Sequence, residues 1–148
     1  EAQAAIPDLI QALSASSMDV RKNAAQVLSM MGHEAQSAMK SLIHALDDYG
    51  PVRESAANAL GKIGLDAISA IPNLIRLLTD EYYYVRVAAQ KALQRIEPNW
   101  YHMNEAKATI PDLVCNLNVL DPYIRKAATA ALQKIDPSGK SWNNLHDL

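Results

Sequence analysis

The amino-acid sequence predicts an all-α fold, a right-handed α-solenoid (an α-α superhelix) of four helix-turn-helix repeats. Two observations support this prediction. Hydrophobic residues make up 49% of the 148 residues, aromatic residues only 5%, and Phe is absent. An interior built from Ala and Leu favours helices over a β-sandwich. In addition, two apolar patterns with helical periodicity each occur four times, which is the signature of a repeat protein.

The first pattern marks the first helix of each repeat. It reads Ile6-Pro7-Asp8-Leu9-Ile10, and it begins again at residues 39, 71 and 110, so the steps are 33, 32 and 39 residues. Its apolar residues lie at i, i+3, i+4 and i+7, which places them on one face of a helix. Pro at the second position of three copies is typical of the first turn of a helix, where no backbone N–H is needed.

The second pattern marks the second helix of each repeat. It begins with a β-branched residue and Arg, at Val20-Arg21, Val52-Arg53, Val85-Arg86 and Ile124-Arg125. The steps of 32, 33 and 39 residues match those of the first pattern closely. Gly after the second helix in two copies, at Gly32 and Gly64, predicts a C-cap with positive φ. Pro98 and Pro137 end the other two helices, because Pro cannot continue a helix.

A single domain over residues 1–148 follows from these patterns, with eight main helices. The repeats span about 4–34, 35–67, 68–97 and 106–137, with an insert at 97–109 and a C-terminal cap at 138–148 that carries Trp142, Leu145 and Leu148. The start at Glu1 within a helical pattern predicts that the chain is part of a longer one. Neighbouring repeats must stack, because one hairpin cannot bury its own apolar stripe. The expected buried residues are Leu9, Leu13, Val20, Leu28, Leu42, Leu46, Leu60, Leu74, Leu78, Leu93, Leu113, Leu117 and Leu132.

The repeats resemble HEAT-like repeats, the type also found in phycobilin lyases. In those repeats a second helix opens with Asp-Val-Arg and continues Ala-Ala-x-x-Leu-Gly-x-Ile-Gly. Asp19-Val20-Arg21 matches the opening, and residues 56–64, AANALGKIG, match the continuation. The resemblance covers residues 4 to about 137. It implies that the second helices line a concave surface, but it is nearly silent on function, because such repeats have many roles.

Charge is distributed unevenly between the two sets of helices. The net charge is only −2, which excludes a histone-like or strongly acidic protein. Nevertheless, the second-helix segments hold ten of the 14 Lys and Arg residues and one acid, Glu54. We expect the four arginines of the second pattern to pair with turn acids such as Asp19 and Asp80. The six remaining basic residues favour an anionic partner; they are Lys22, Lys62, Lys91, Arg95, Lys126 and Lys134.

Aromatic residues collect at two irregular places. Five of the six tyrosines lie in the turns between paired helices, at Tyr49, Tyr82, Tyr83, Tyr84 and Tyr123. They either pack on neighbouring turns or form a binding rim, since Tyr is enriched at binding hot spots. The links between repeats have seven residues twice, but the third has thirteen and contains Trp100. This insert either folds back to fill the gap that it creates or forms a binding loop.

No pattern predicts catalysis. A single Cys excludes a disulfide framework and a Cys-based zinc site. The four histidines lack metal-ligand spacing, and no Gly-rich phosphate loop is present. HEAT-like deoxyhypusine hydroxylase holds iron with His-Glu pairs after the Val-Arg of its second helices, but those positions here are Lys22-Asn23, Glu54-Ser55, Val87-Ala88 and Lys126-Ala127. We therefore expect no catalytic residue, cofactor or metal, and no run of about 18 apolar residues predicts a membrane span.

A non-catalytic, cytoplasmic protein-interaction scaffold is the predicted function. The expected partner is another protein with an acidic segment, held on the concave face and the tyrosine rim. The candidate partner-binding residues are Lys22, Gln26, Asn58, Lys91, Gln94, Lys126, Tyr82, Tyr83 and Trp100. The alternative is a phycobilin lyase-like subunit that handles an anionic tetrapyrrole. A nucleic-acid-binding domain ranks third, because it needs a more basic groove, and no membrane partner is expected.

Overall fold

The computed structural model describes residues 2–145, and within them all regular structure is helical. The first helices of the four repeats are α1 (Ile6–Ala12), α3 (Met39–His44), α5 (Ile71–Arg76) and α8 (Ile110–Cys115). The second helices are α2 (Met18–Met31), α4 (Gly50–Ile63), α6 (Tyr83–Ile96) and α9 (Pro122–Ile135). A short additional helix, α7 (Asn104–Lys107), lies in the insert. The prediction of an all-α solenoid is confirmed.

The links between the first three repeats are themselves helical. Gly32–Ala38 and Gly64–Ala70 form 3₁₀ helices that lead directly into α3 and α5. Gly32 and Gly64 have φ values of +58° and +81°, which L-residues with a side chain rarely adopt, so they reverse the chain after α2 and α4. The alanines of these links are fully buried, at positions 35, 38, 67 and 70. Each link therefore contributes two alanines to the core, although most of its other side chains are exposed.

The helix boundaries follow the Pro residues identified in the sequence. Pro7, Pro72 and Pro111 all lie in the first turn of their helices. After α6 and α9 the backbone becomes extended, with φ of −151° at Glu97 and −136° at Asp136, each directly before a Pro. These ends are consistent with the restriction that Pro imposes on its own φ and on the preceding residue.

The second helices form a close stack through the first three repeats. Helix α4 packs against both α2 and α6, and these two pairs are the most extensive helix contacts in the described chain. The approach is so close that a Cβ on Gly61 would lie 2.8 Å from Cα of Ala92. Helix α9 does not continue this stack. It packs instead against α8 of its own repeat and against the 3₁₀ segments Leu77–Thr79, Asn116–Asn118 and Trp100–His102.

Ten of the thirteen residues predicted to be buried are buried, from Leu13 to Leu132. The prediction for Val20 is wrong, because its side chain is 44% exposed whereas the equivalent Val52 and Val85 are fully buried. Val20 lies in the first repeat of the described residues, and no preceding repeat among these residues covers it. Leu9 and Leu78 are only partly buried. Leu9 also lies in the first repeat, and Leu78 lies beside the gap between α6 and α9.

Trp142 connects the C-terminal segment to the core. Its side chain is 8% exposed, and its Nε1 donates a hydrogen bond to the carbonyl of Asp136 at 3.2 Å. The Asp136 carboxylate accepts hydrogen bonds from the Ser138 hydroxyl and from the backbone N–H of Ser138 and Ser141, which together hold the pKa of Asp136 well below its usual range. The other apolar residues predicted for the cap, the Leu145 side chain and Leu148, lie outside the described residues.

Candidate functional site

The arginines of the second helices link consecutive repeats. Arg21 forms a bidentate pair with Asp48, with Nε–Oδ2 and Nη2–Oδ1 distances of 2.6 and 2.8 Å. Arg53 also pairs with Asp80: its Nη2 donates to Oδ1 at 3.0 Å, while its Nε lies 2.8 Å from Oδ2 without the geometry of a hydrogen bond. Each arginine thus reaches forward to the turn acid of the next repeat. The hydrogen bonds from Arg21 lower the pKa of Asp48, and the pKa of Arg21 is raised in turn.

One partner predicted for these arginines is wrong. Asp80 is a partner, but Asp19 lies 3.7 Å from Nζ of Lys22, on its own helix, and forms no pair with an arginine within residues 2–145. Asp19 lies in the first turn of α2, the same helix that carries Arg21, and not in the turn of the next repeat. The acid that Arg21 binds comes from a turn 27 residues further along the chain.

The link between repeats is absent after the third repeat. Nη1 of each arginine also donates to an equivalent carbonyl of its own turn, in the pairs Arg21–Ala15, Arg53–Asp48, Arg86–Asp80 and Arg125–Val119. Val119 therefore occupies the position that Asp48 and Asp80 occupy in the two preceding repeats. As a result, Arg86 forms no ion pair with any carboxylate of the described chain.

The tyrosines of the turns are exposed, and three of them cover arginines. The ring centroids of Tyr49, Tyr82 and Tyr83 lie 6.0, 5.7 and 5.7 Å from the guanidinium carbons of Arg21, Arg53 and Arg86. These are cation–π distances. Such contacts give the rim a packing role. Tyr83 and Tyr123 are nevertheless 72% and 71% exposed, which leaves most of their surface open to solvent.

Tyr82 and Tyr84 pack back onto the preceding repeat. Their rings are stacked with centroids 5.3 Å apart. A Cβ on Gly50 would lie 2.6 Å from the Tyr84 hydroxyl and 2.7 Å from the Tyr82 ring, so both side chains would have to shift to admit it. Burial also raises the pKa of Tyr84. A shallow groove of about 930 Å³ runs beside Tyr82 along the turns of the second and third repeats, but its lining mixes Lys40 with acids.

The face formed by the second helices carries unpaired positive charge. Five exposed basic residues form no ion pair with a carboxylate among residues 2–145; they are Lys62, Lys91, Arg95, Lys126 and Lys134. Lys22 differs, because it lies near Asp19. Gln26 and Gln94 are exposed on the same helices and Asn58 is half-buried, so hydrogen-bonding groups lie among the charges.

A cleft of about 310 Å³ separates α6 from α9, and we refer to it as the α6–α9 cleft. Its walls include Val87 and Gln94 from α6 and Ala127, Ala130 and Lys134 from α9. Trp100, Arg86 and Tyr83 also line it. The cleft lies where the close stack of second helices ends and where the thirteen-residue insert lies between the repeats.

Trp100 folds back into this gap. Its side chain is only 4% exposed and meets Tyr101 edge to face, with ring centroids 5.8 Å apart. The Lys134 ammonium lies 5.6 Å from the Trp100 ring and 5.0 Å from the Tyr101 ring. The insert therefore fills the base of the gap with aromatic rings, and the space above them remains open as the cleft.

The structure brings together three of the residues predicted to bind a partner. Tyr83, Gln94 and Trp100 line the α6–α9 cleft, while Lys91 and Lys126 lie on its two helices outside the lining. The other predicted residues lie elsewhere: Lys22, Gln26 and Asn58 on α2 and α4, and Tyr82 in the turn before α6. Sequence reasoning missed Arg86 and the alanines of α9. Two features of the sequence indicated this site: the insert, and Val119 at the position where the preceding repeats have Asp.

Two further observations concern metal binding and membrane insertion. Within residues 2–145, no three His, Cys, Asp or Glu side chains are grouped so that they could hold a metal ion. No helix among these residues combines the length and the apolar character that crossing a membrane requires.

Tandem helical hairpins, stacked second helices and arginine links between repeats define the chain as an α-solenoid repeat protein. Comparison with family models agrees with this class. A model described as HEAT repeats matches residues 1–61, one described as PBS lyase HEAT-like repeat matches 52–80, and one described as HEAT repeat matches 70–99. The chain belongs to the HEAT-like repeat proteins. No curated protein matches it.

Solved structures with a similar fold include natural and engineered proteins. The complex of CpcE and CpcF of phycocyanin lyase from Nostoc sp. PCC7120 contains a chain 23% identical, with a TM-score of 0.57 over 92% of this chain and 66% of that one. Two engineered proteins are 24% and 26% identical, with TM-scores of 0.56 and 0.57 over 90% and 88% of this chain. This chain spans 63% and 37% of those engineered chains. The likeness shows the fold.

Proposed function

We propose that this domain is a non-catalytic protein-interaction scaffold that binds an acidic segment of a partner protein along its second helices. One observation carries the proposal. The second-helix segments hold ten of the 14 basic residues, and five of these are exposed without a carboxylate partner in the described chain. Solenoid repeats commonly use such an extended face for binding.

Electrostatic attraction supplies the recognition in this proposal. At 0.1 M salt the screening length is about 10 Å, which is similar to the spacing of packed helices, so cations on neighbouring repeats act on one ligand together. Lys91 on α6 and Lys126 on α9 would bind carboxylates of the segment. Gln26, Asn58 and Gln94 would hydrogen-bond its backbone, and Tyr83 at the rim would contact its end.

Selection from a displayed peptide library tests the proposal, because acidic, neutral and basic peptides compete for the domain in one experiment. We expect the immobilised domain to enrich acidic peptides. The dissociation constant of a selected peptide should rise between 50 and 200 mM salt. The Lys91→Glu/Lys126→Glu double variant should bind it at least tenfold more weakly, which corresponds to about 1.4 kcal/mol. Its melting temperature should stay close to that of the wild type, because both side chains are exposed.

Lys40→Glu/Lys107→Glu is the matched control. It changes the net charge by the same amount, but both lysines are exposed outside the second helices. Equal loss of binding in the two double variants would mean that only total charge matters, and would contradict a defined face. If Tyr83→Ala/Tyr123→Ala abolishes binding while Lys91→Glu/Lys126→Glu retains it, the tyrosine rim is the site instead.

A lyase-like role is the second candidate. The match of residues 52–80 to the PBS lyase HEAT-like repeat and the structural likeness to the CpcE–CpcF complex support it. The basic second helices would suit the propionates of a tetrapyrrole. Incubation with a bilin distinguishes the candidates, because only this second role predicts a spectral shift or a coloured adduct. Binding of duplex DNA that weakens steeply with added salt would instead favour a nucleic-acid partner and contradict both candidate functions.

A further inference from the structure

We propose that the α6–α9 cleft receives an apolar side chain of the acidic partner segment, while carboxylates beside that side chain bind Arg86 and Lys134. This inference rests on the proposed function and names the place where the segment is anchored. If the proposal is correct, the insert, which the other repeats lack, contributes directly to binding.

The size of the cleft limits what can enter it. Its volume of about 310 Å³ is at the lower end of small-ligand pockets, which range from about 300 to 1,000 Å³. An α-helix with side chains is about 10 Å across, so a whole helix is too large for this space. One or two apolar side chains projecting from a segment that lies across α6 and α9 fit it better.

The lining favours an apolar group. Ala127, Ala130 and Ala131 of α9 line it together with Val87 of α6 and the buried Trp100. Leu78 also contributes to the wall and is only partly buried, so a ligand would cover apolar surface that the protein leaves in contact with solvent. Covering apolar surface contributes roughly 25 cal/mol per Å².

The charges at the cleft complement carboxylates. No acidic residue lines it, whereas Arg86 and Lys134 do. Arg86 lacks the inter-repeat carboxylate that Arg21 and Arg53 have, because Val119 replaces the aspartate. Lys134 lies against the rings of Trp100 and Tyr101 and forms no ion pair within residues 2–145. Binding hot spots are typically anchors that fill such pockets, and complementary charges at an interface fix the register of the ligand.

Variants that fill the cleft test the proposal, and an acidic peptide selected from the library serves as the ligand. Ala130→Trp places a large side chain in the cleft, and Gln133→Trp places the same side chain at an exposed position of α9 outside the lining. Lys134→Gln removes a cleft charge, and Lys40→Gln removes a charge that is exposed on α3, outside the second helices. We expect Ala130→Trp and Lys134→Gln to weaken binding at least tenfold and the two controls less than threefold.

Trp100 supplies a local signal. In a Trp142→Phe background, Trp100 is the only remaining tryptophan, and its fluorescence should change when the peptide binds. Wild-type affinity in both Ala130→Trp and Lys134→Gln, or unchanged Trp100 emission on binding, would overturn the inference. If Lys91→Glu/Lys126→Glu still weakens binding in that case, the proposed function stands and only the cleft is wrong. If no peptide is selected, or none of these variants weakens binding, both proposals fail.

Discussion

At the residue scale, one arginine per repeat stabilises the turn of its own repeat, and in the first two repeats it also binds the next one. Arg53 shows both contacts, donating to the Asp48 carbonyl at 2.6 Å and pairing with the Asp80 carboxylate. Both partners of this pair are largely shielded from solvent, with side-chain exposures of 15% and 7%. Hydrogen bonds to charged groups in such positions contribute more than those at an exposed surface.

The Arg21–Asp48 pair should make stability depend on acid pH. Because Arg21 lowers the pKa of Asp48 in the folded state, this contribution is complete above the ordinary carboxyl pKa of about 3.9 and is lost as pH falls through the folded-state pKa. Asp48→Asn should therefore unfold at lower urea concentration than the wild type at pH 7, and the difference should narrow below about pH 4.

Asp47→Asn is the control for this titration, because Asp47 is exposed and forms no ion pair among the described residues. It should show little difference from the wild type and no such narrowing. A difference between wild type and Asp48→Asn that stays constant from pH 7 to pH 3 would contradict a stabilising Arg21–Asp48 pair.

At the scale of elements, α4 occupies the most confined position. It lies between α2 and α6, and nine of its fourteen residues are buried. Small residues make this possible, since Ala56, Ala57, Ala59 and Gly61 allow the neighbouring backbones to approach. The equivalent positions on α9 differ in part, because Thr129 and Gln133 stand where α4 has Ala57 and Gly61, and Gln133 is exposed.

Gly61→Ala should destabilise the protein although Ala favours helix. The new Cβ would lie 2.8 Å from backbone Cα of Ala92, so α4 and α6 would have to separate. Overpacking of this kind costs about 1–3 kcal/mol, which outweighs the gain in helix propensity of about 1 kcal/mol at most sites. Urea unfolding measures the change, with exposed Lys62→Ala as the control; a stabilised Gly61→Ala variant would contradict the close contact.

At the scale of the whole molecule, the stack is continuous through three repeats and changes at the fourth. Contacts of the first helices hold the fourth repeat in place, including the Arg76–Asp112 pair at 2.7 Å and the bond from Asn116 to the Thr79 hydroxyl at 2.9 Å. The second helices α6 and α9 stay apart on the other side. The fourth repeat is therefore joined to the third along one edge.

Matched leucine truncations should show this asymmetry. Leu60 and Leu132 are both fully buried at equivalent positions of α4 and α9. Leu60→Ala should cost about 2–5 kcal/mol, because neighbours on both sides prevent the site from collapsing. Leu132→Ala should cost less, because α9 is packed closely on one side only and can move to fill the cavity. Chemical denaturation measures both, and equal losses would argue against a stack of nearest-neighbour contacts.

The sequence predicted the repeats, their helices and most of the core, because apolar periodicity and Pro or Gly at helix ends are local properties. It misplaced Val20, whose burial depends on a neighbouring repeat rather than on its own helix. It named Asp19 rather than Asp48 among the partners of the arginines, because the pairing of Arg21 with a residue 27 positions further along is set by stacking. The cleft could not be derived either, since it arises where an insert changes the distance between two helices.

Hydrogen exchange measured by mass spectrometry, with and without a selected acidic peptide, tests the central claim most directly. That claim is that the partner binds where α6 and α9 separate. Peptide binding should slow exchange most in Tyr83–Ile96 and Pro122–Ile135, because the ligand would bridge these helices and stabilise the fourth repeat against local opening. Slowed exchange confined to Met18–Met31 and Gly50–Ile63, with α6 and α9 unchanged, would contradict the account.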